Sequence, residues 1–171
     1  VQKNDEVISP ALTVIMDSYV TIFQDATPVY ADLDLNTHNI DIEDIKRKIT
    51  SRTKAIIGVS WQGLPCDVHG ILKLIKDKNI TVIDDSAQAL FDSPELNSQK
   101  GIADISVYSF EEKKHITTGS EGGMVVTDSK DLAVKIRKFA GIGYKHLTAS
   151  AGRTSLAKST SQRPTYIRFD T

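Results

Sequence analysis

The sequence predicts an α/β fold in which a mostly parallel sheet lies between helices, as a three-layer α/β/α sandwich. Short apolar runs rich in Val and Ile alternate along the chain with longer stretches of helical periodicity. The loops that join them are short. Parallel neighbours in a sheet need a crossover, usually a helix, so this alternation favours parallel pairing. With 171 residues, 40% of them hydrophobic, the chain is long enough for one domain with a real core.

The first half of the chain is predicted to hold three strands and two helices. Leu12–Phe23 is apolar enough for a mostly buried helix, with Thr13 and Asp17 as its polar interruptions. Asp41 is a good N-cap for a second helix with isoleucines spaced along one face. Lys54–Ser60 contains a continuous apolar run typical of a parallel strand covered on both sides. The other two strands are predicted at Val7–Ile8 and Pro28–Asp34.

The second half begins with a turn, Trp61–Pro65, that carries an aromatic at its head. Asp67 can cap the helix that follows, whose apolar positions include Ile71 and Ile75. Asp128–Ala140 has the spacing of an amphipathic helix. Strands are predicted at Ile80–Ile83, Ile105–Phe110 and Met124–Thr127, with Phe91–Gly101 as a connection.

Charge and cysteine content limit the classes of partner. The net charge is -1, so no broad basic field points to nucleic acid or to an anionic membrane. Cys66 is the one cysteine, which excludes an internal disulfide and favours a reducing, cytoplasmic location. No apolar run approaches the ~20 residues of a spanning helix, and no signal-peptide pattern opens the chain. No metal site is predicted.

Two polar loops follow predicted strands and stand at the same edge of the sheet. Asp85–Gln88 follows one strand and Ser109–Gly123 follows another. Open α/β sheets place their ligands at the carboxyl ends of strands. Together the loops hold a carboxylate, an amide, a hydroxyl and a lysine, which are the parts that hold and use pyridoxal phosphate.

The chemistry of that cofactor explains why these residue types are needed. A lysine amine must be neutral to attack an aldehyde, and burial or a cationic neighbour lowers its pKa from ~10.4. A carboxylate such as Asp85, facing the pyridine nitrogen, would keep that nitrogen protonated and make the ring an electron sink. A hydroxyl such as Ser109, with backbone N–H groups nearby, can receive the phosphate.

Each group taken singly also has an ordinary structural explanation. A lone aspartate after a strand is more often a helix cap or a loop hydrogen bond, and a lone loop lysine is more often a solvated charge. The run Glu111–Lys113 fits a solvated surface, and Gly119, Gly122 and Gly123 fit a tight turn.

The order and spacing of these segments resemble the DegT/DnrJ/EryC1/StrS family of sugar aminotransferases, which have the type I fold of pyridoxal-phosphate enzymes. The resemblance runs through nearly the whole chain and is most specific at Ser109-Phe110, at Lys114 and at Gly119–Gly123. The other matching segments are Asp5–Pro10, Thr53–Ile57, Gly63–Asp67 and Asp84–Ala89.

Carried over one position at a time, the resemblance implies a role for each site residue. Lys114 would form the internal Schiff base, and Asp85 would pair with the pyridine nitrogen. Gln88 would contact the cofactor ring or its phenolic oxygen, and Ser109 would bind the phosphate. The family's lysine lies five residues after the serine of its Ser-Phe pair, which selects Lys114 over Lys113.

The resemblance also implies an activity. The cofactor would take an amino group from a donor such as glutamate and give it to a keto carbon of a nucleotide-linked sugar, for amino sugars of surface polysaccharides or natural products. A branch of the family that removes a sugar hydroxyl instead carries histidine in place of the lysine, and His115 is one position too late. Members share each active site between two subunits, so a homodimer is expected.

Some features depart from the family pattern. Ser120 lengthens the glycine loop, and Val14 and Ile15 stand where an aromatic would cover the cofactor ring. Trp61 could cover the ring from its own loop, or it could simply be packed. These departures keep open a second hypothesis, a non-catalytic or regulatory module with the same fold. A third, a generic dinucleotide-binding domain, is disfavoured because no Gly-x-Gly-x-x-Gly or P-loop pattern follows a predicted strand.

The match implies a division of the chain as well. Residues 1–140 would be the central part of the cofactor-binding large domain. Residues 141–171, rich in Ser, Thr, Gly, Lys and Arg, would be a polar loop or tail leading to a C-terminal domain that the chain lacks. Such a segment is either a mobile surface tail or a loop that orders against a substrate or another subunit.

Overall fold

A single sheet carries the fold. The structure, a computed structural model, describes residues 1–89 and 103–140. In these ranges six strands form one sheet in the order β2-β1-β3-β4-β5-β6. The strands are β1 (Glu6–Pro10), β2 (Thr27–Ala31), β3 (Thr53–Val59), β4 (Thr81–Asp85), β5 (Ile105–Ser109) and β6 (Gly123–Val126). The helices are α1 (Met16–Ile22), α2 (Ile42–Lys48), α3 (Val68–Leu74) and α4 (Lys130–Ala140).

The strand pairing confirms the predicted, mostly parallel sheet. Strands β1 to β5 pair in parallel, and only β6 runs antiparallel, against β5. In register, Val59 lies beside Asp85, and Asp85 lies beside Val107. The carboxyl ends of β3, β4 and β5 therefore meet at one edge of the sheet. Each predicted strand is present, with its bounds moved by a few residues at most.

The main core lies between one face of the sheet and helices α2 and α3. Ile8, Ile56 and Val82 of the sheet meet Ile45 of α2 and Ile71 of α3, and all five side chains are fully buried. Full burial of such a side chain is worth about 1.5–3 kcal/mol relative to exposure. The caps are those that the sequence predicted: Asp41 accepts from the N–H of Glu43 at 2.9 Å, and Asp67 accepts from the N–H of Gly70 at 2.8 Å.

Helix α1 covers the opposite face of the sheet. Val29 and Ala31 of β2 belong to the main core, so Tyr30 between them points to the other face. There its hydroxyl forms a 3.0 Å hydrogen bond with the hydroxyl of Ser18 in α1. Helices therefore lie on both faces, as the three-layer prediction requires.

The prediction that residues 12–23 form a mostly buried helix is wrong in extent and in burial. The helix begins only at Met16, and it buries Ser18 and Thr21 against the sheet. The spacing of Asp17, Ser18 and Thr21 puts them on one side of the helix, a side that periodicity alone would assign to solvent but that faces the sheet here. Small polar side chains allow close approach to β1 and β2, which leaves the large apolar ones outward. These exposed residues are Leu12, Val14, Ile15, Met16, Tyr19, Val20, Ile22 and Phe23.

Asp44 in α2 is a buried carboxylate with several partners. It lies 2.8 Å from the Lys48 ammonium and 2.9 Å from the Arg47 guanidinium, and the N–H of Asp32 donates to it at 2.6 Å. The hydrogen bond from Lys48, followed by that from the Asp32 N–H, holds the pKa of Asp44 at about 2, against the usual 3.8.

We expect Asp44→Asn to lower the free energy of unfolding at neutral pH by about 1–3 kcal/mol, because Lys48, Arg47 and the Asp32 N–H lose a charged, buried acceptor. The folded-state pKa of Asp44 lies below that of the unfolded chain, so the unfolded chain binds more protons between pH 3.8 and about 2. Wild-type stability should fall across this window as pH falls, and less steeply in the variant. Urea unfolding measures both effects, with exposed Asp77→Asn as a control; equal pH slopes in wild type and Asp44→Asn would contradict the assignment.

Residues Thr127 to Ala140 belong to a second compact unit, separate from the sheet. Its described part contains α4, which confirms the helix predicted at 128–140, and none of its residues is buried. No helix in the described residues is long and apolar enough to cross a membrane. The predictions for residues 91–101 and 141–171 fall within stretches that lie outside the described residues.

Candidate active site

Asp85 is the last residue of β4 and stands half-buried at the carboxyl edge of the sheet. One of its carboxylate oxygens accepts a hydrogen bond from the N–H of Ala87 at 2.9 Å. Its own carbonyl accepts from the N–H of Ser60 at 2.9 Å, which ties the end of β4 to the end of β3. These two hydrogen bonds hold Asp85 at the carboxyl ends of the strands, where ligands bind in open α/β sheets.

Burial and neighbouring charges act on Asp85 in opposite directions. Burial raises its pKa, while the Ala87 N–H and the positive charge of Lys114 lower it, and the net direction is upward from 3.8. Asp17, half-buried in α1 and hydrogen-bonded to the hydroxyl of Thr13, has its pKa raised by burial and by the negative charge of Asp85. A cationic hydrogen-bond donor would stabilise the ionised form of a carboxylate in this setting, and a protonated pyridine nitrogen is such a donor.

Lys114 lies in the loop between β5 and β6. The loop folds back on itself, since the N–H of Phe110 donates to the Gly122 carbonyl at 2.7 Å and that of Thr118 donates to Phe110 at 3.2 Å. Lys114 is half-buried, whereas its neighbours Lys113 and His115 are exposed. The positive charge of Lys114 acts on Asp85 across the edge of the sheet.

A cleft of about 430 Å³ opens beside this loop. Among the described residues it is lined by Gln62, Gln88, Lys113, Lys114 and His115. Its size is within the range of small-molecule sites, and the charged side chains in this lining are all cationic. An anionic ligand is therefore favoured there.

Ser109 ends β5, in register with Gly123 of β6. It is half-buried, and its hydroxyl accepts from the N–H of Glu111 at 3.4 Å. A Cβ added at Gly122 would lie 2.0 Å from the hydroxyl oxygen of Thr118, so a larger residue here would require the Thr118 side chain to move. Ser109 is at the same edge as Asp85, but it is not among the described residues that line the cleft.

Trp61 heads a short 3-10 turn after β3 and is half-buried. It packs against the apolar cluster of Val7, Ala55, Ile57 and Val59 on one face of the sheet. It is not among the described cleft-lining residues. The predicted stacking of Trp61 on a cofactor ring stays a prediction.

The structure thus brings Gln88 and Lys114 to one cleft, and it places Lys114 within electrostatic reach of Asp85. Sequence reasoning missed Gln62, which lines that cleft, and Asp17, whose pKa is raised in part by the negative charge of Asp85. Asp17 had given a signal, as a carboxylate inside an otherwise apolar segment. Gln62 gave none, because its place depends on how its turn folds against the loop after β4.

Comparison with known proteins points to one family. The sequence model of the DegT/DnrJ/EryC1/StrS aminotransferase family matches residues 1–158. GDP-perosamine synthase from Escherichia coli O157:H7 is 43% identical over 144 residues, which is 84% of this chain and 39% of that enzyme. The chain therefore spans well under half the length of this relative.

Solved structures give the same result. The aminotransferase from Psychrobacter cryohalolentis matches with a TM-score of 0.78 at 34% identity, over 93% of this chain and 42% of that one. NtdA from Bacillus subtilis, solved with bound cofactor PMP, matches with a TM-score of 0.78 at 27% identity, over 88% of this chain and 34% of that one. The predicted fold class is confirmed by these neighbours.

Proposed function

Because the chain belongs to the DegT/DnrJ/EryC1/StrS aminotransferase family, we propose that the protein transfers an amino group to a nucleotide-linked keto-sugar with pyridoxal phosphate as cofactor. Glutamate is the first candidate for the donor. The observation that carries the proposal is Lys114, which lines one cleft with Gln88 and lies within electrostatic reach of Asp85. A lysine, an amide and a half-buried carboxylate are the groups that this cofactor requires.

The residues fit the cofactor on chemical grounds. Burial raises the pKa of Asp85 although the positive charge of Lys114 lowers it, so a protonated ring nitrogen would further stabilise the carboxylate form. The cationic lining of the cleft suits a phosphorylated ligand. When bound, the cofactor would supply an aldehyde carbon, which takes up the amino group from the donor, and a ring that accepts electrons. Asp85 would pair with the ring nitrogen, Gln88 would face the ring or its phenolic oxygen, and Ser109 would receive the phosphate.

Lys114 has two tasks in this proposal. It binds the cofactor covalently at rest, and once released its amine moves a proton at the substrate carbon. Both tasks need the neutral amine.

The relatives support this reaction and substrate class. GDP-perosamine, named in the E. coli relative, is a nucleotide-linked sugar, and the PMP of NtdA is the amine form of pyridoxal phosphate. Transfer of an amine is favoured over removal of a hydroxyl, because Lys114 occupies the position that is histidine in the hydroxyl-removing branch. Amino sugars for polysaccharides or natural products are the proposed products, made in the cytoplasm.

We extend the proposal to a homodimer with a shared site. The support is the exposed apolar surface of α1, whose side chains include Tyr19, Val20 and Ile22. Solvent-exposed apolar groups in such number on one short helix suit a protein interface. Helix α1 also carries Asp17, whose charge interacts with that of Asp85, so a partner seated there would lie near the site.

The test is an assay of the full-length protein with pyridoxal phosphate, glutamate and a panel of GDP-, UDP- and TDP-linked 3- and 4-keto sugars. We expect mass spectrometry to show an aminated sugar together with 2-oxoglutarate, and sedimentation to give twice the mass of one chain. Loss of a hydroxyl without gain of an amine would assign the dehydration branch instead. Absence of reaction with every sugar and donor, in protein that binds the cofactor, would favour the non-catalytic module.

A further inference from the structure

Asn39 is a buried side chain whose polar atoms are all used by one distant turn. Only 5% of it is exposed. Its amide oxygen accepts from the N–H of Trp61 at 3.0 Å, and its amide nitrogen donates to the carbonyls of Leu64 and Pro65 at 3.1 and 3.0 Å. These partners fix the orientation of the amide, since reversing it would set like groups against each other. Asn39 therefore clamps both ends of the turn.

The clamped turn has a backbone that needs support. Gln62 has φ of 52° and ψ of 27°, in the left-handed region, and Gly63 has φ of 92°. A residue other than glycine in such a conformation is strained and persists only where its surroundings enforce it. The internal bond of the turn, from the Leu64 N–H to the Trp61 carbonyl at 3.0 Å, is supplemented by the Asn39 bonds. Loss of the Asn39 side chain would therefore remove three of the hydrogen bonds that keep the turn in this conformation.

One hydrogen bond links the turn, with Gln62 in the left-handed conformation, to the cleft residue Gln88. The N–H of Gln62 donates to the side-chain oxygen of Gln88 at 2.9 Å. A Cβ at Gly63 would lie 3.4 Å from the Gln88 carbonyl, so the two loops touch. Since its oxygen accepts from Gln62, the Gln88 amide turns its NH₂ group to the cleft, and no residue of the described ranges 1–89 and 103–140 accepts from that group. That group is a donor and suits an acceptor on the ligand.

We propose that Asn39 is a positioning residue: it holds the Trp61–Pro65 turn so that the Gln62 N–H presents the NH₂ of Gln88 to the cofactor. Asn39 acts through the turn, because its polar atoms bond to the turn and not to the cleft. The role of Gln88 toward the cofactor rests on the proposed function. The hold on the turn itself does not, and the two parts are tested separately.

The first test reads the turn without cofactor. Trp61 is the only tryptophan of the chain, so its emission, taken as the difference from Trp61→Phe, reports on the turn directly. Asn39→Asp keeps an acceptor for the Trp61 N–H but sets a carboxylate against two carbonyl oxygens. We expect its Trp61 emission to shift to the red and to be quenched more readily by acrylamide. Asn39→Ser, the milder variant, should shift in the same direction.

The second test reads the cofactor site in the full-length protein, by the affinity for pyridoxal phosphate and the absorbance of the lysine-bound form. Loss of one directed hydrogen bond should weaken binding by about 2- to 10-fold in Asn39→Asp. In a Gln88→Met background, which has lost the same donor, Asn39→Asp should cause no further loss. Thr50→Val is the matched control, since Thr50 bonds to buried Glu6 at the other edge of the sheet. It should lower stability without moving Trp61 emission or cofactor absorbance.

Each outcome decides the proposal. Unchanged Trp61 emission in both Asn39 variants overturns it, as does a loss of affinity in Asn39→Asp that is fully additive with Gln88→Met. A red shift with a loss of affinity that disappears in the Gln88→Met background supports it. If the wild type binds no cofactor, the proposed function fails, and the emission of Trp61 alone decides whether Asn39 holds the turn.

Discussion

Replacing Lys114 by alanine is expected to abolish covalent attachment of pyridoxal phosphate and to lower amino transfer by at least about 10²–10⁴-fold. That range is typical for loss of a positioned proton-transfer group. Among the lysines that the structure describes, only Lys113 and Lys114 line the 430 Å³ cleft, and Lys114 is the half-buried one whose charge acts on Asp85. Borohydride reduction of the full-length protein with pyridoxal phosphate, followed by peptide mass mapping, should find the adduct on Lys114 in the wild type and none in Lys114→Ala.

Lys113→Ala is the matched control for this experiment. It removes a lysine from the same cleft one position earlier, and it should keep the adduct on Lys114. An adduct that persists in Lys114→Ala but disappears in Lys113→Ala would move the catalytic lysine by one residue. An adduct that persists in both variants would contradict the assignment of the cofactor site to this cleft.

Exchanging Asp85 for asparagine should have the second largest effect. The side chain keeps its shape but can no longer neutralise a protonated ring nitrogen, and a hydrogen bond to a charged group is worth about 1.5–3 kcal/mol. We therefore expect pyridoxal phosphate to bind roughly 10- to 100-fold more weakly, with amino transfer falling further because the ring becomes a poorer electron sink. Fluorescence titration and single-turnover kinetics measure the two losses.

The pH dependence separates this role from a structural one. Burial raises the pKa of Asp85 from 3.8 in the cofactor-free protein, so the carboxylate becomes neutral as pH falls and should then bind the cofactor less tightly. This acid-side loss of affinity should be absent in Asp85→Asn. Asp67→Asn, at a helix cap, serves as the control and should leave the affinity for pyridoxal phosphate unchanged.

The cofactor-free Asp85→Asn protein should be no less stable than the wild type, because a partly buried charge has been removed. A drop in its stability with unchanged affinity would make Asp85 a structural residue.

Much of the fold could be predicted because its signals are local. Asp41 and Asp67 are caps in the structure as predicted, and β3 is buried on both faces as its continuous apolar run indicates. Helix α1 was mispredicted for the converse reason. Its apolar residues share one side, which a local pattern assigns to the core, but the side with Ser18 and Thr21 is the buried one, because the fit against β1 and β2 is a property of the packed sheet.

For the site, the sequence by itself determined which groups are present and at which strand ends: Asp85 and Gln88 at and after the end of β4, and Ser109 and Lys114 at and after the end of β5. Their order and spacing were sufficient for the family, since chemistry of this kind depends on residue type at the ends of strands. Only the tertiary structure decided which of these groups share a cleft, that Gln62 joins them, and that Asn39 holds the turn from 22 or more residues away. Such contacts arise when strands align in register and loops meet across an edge of the sheet, and no local pattern of residues encodes that meeting.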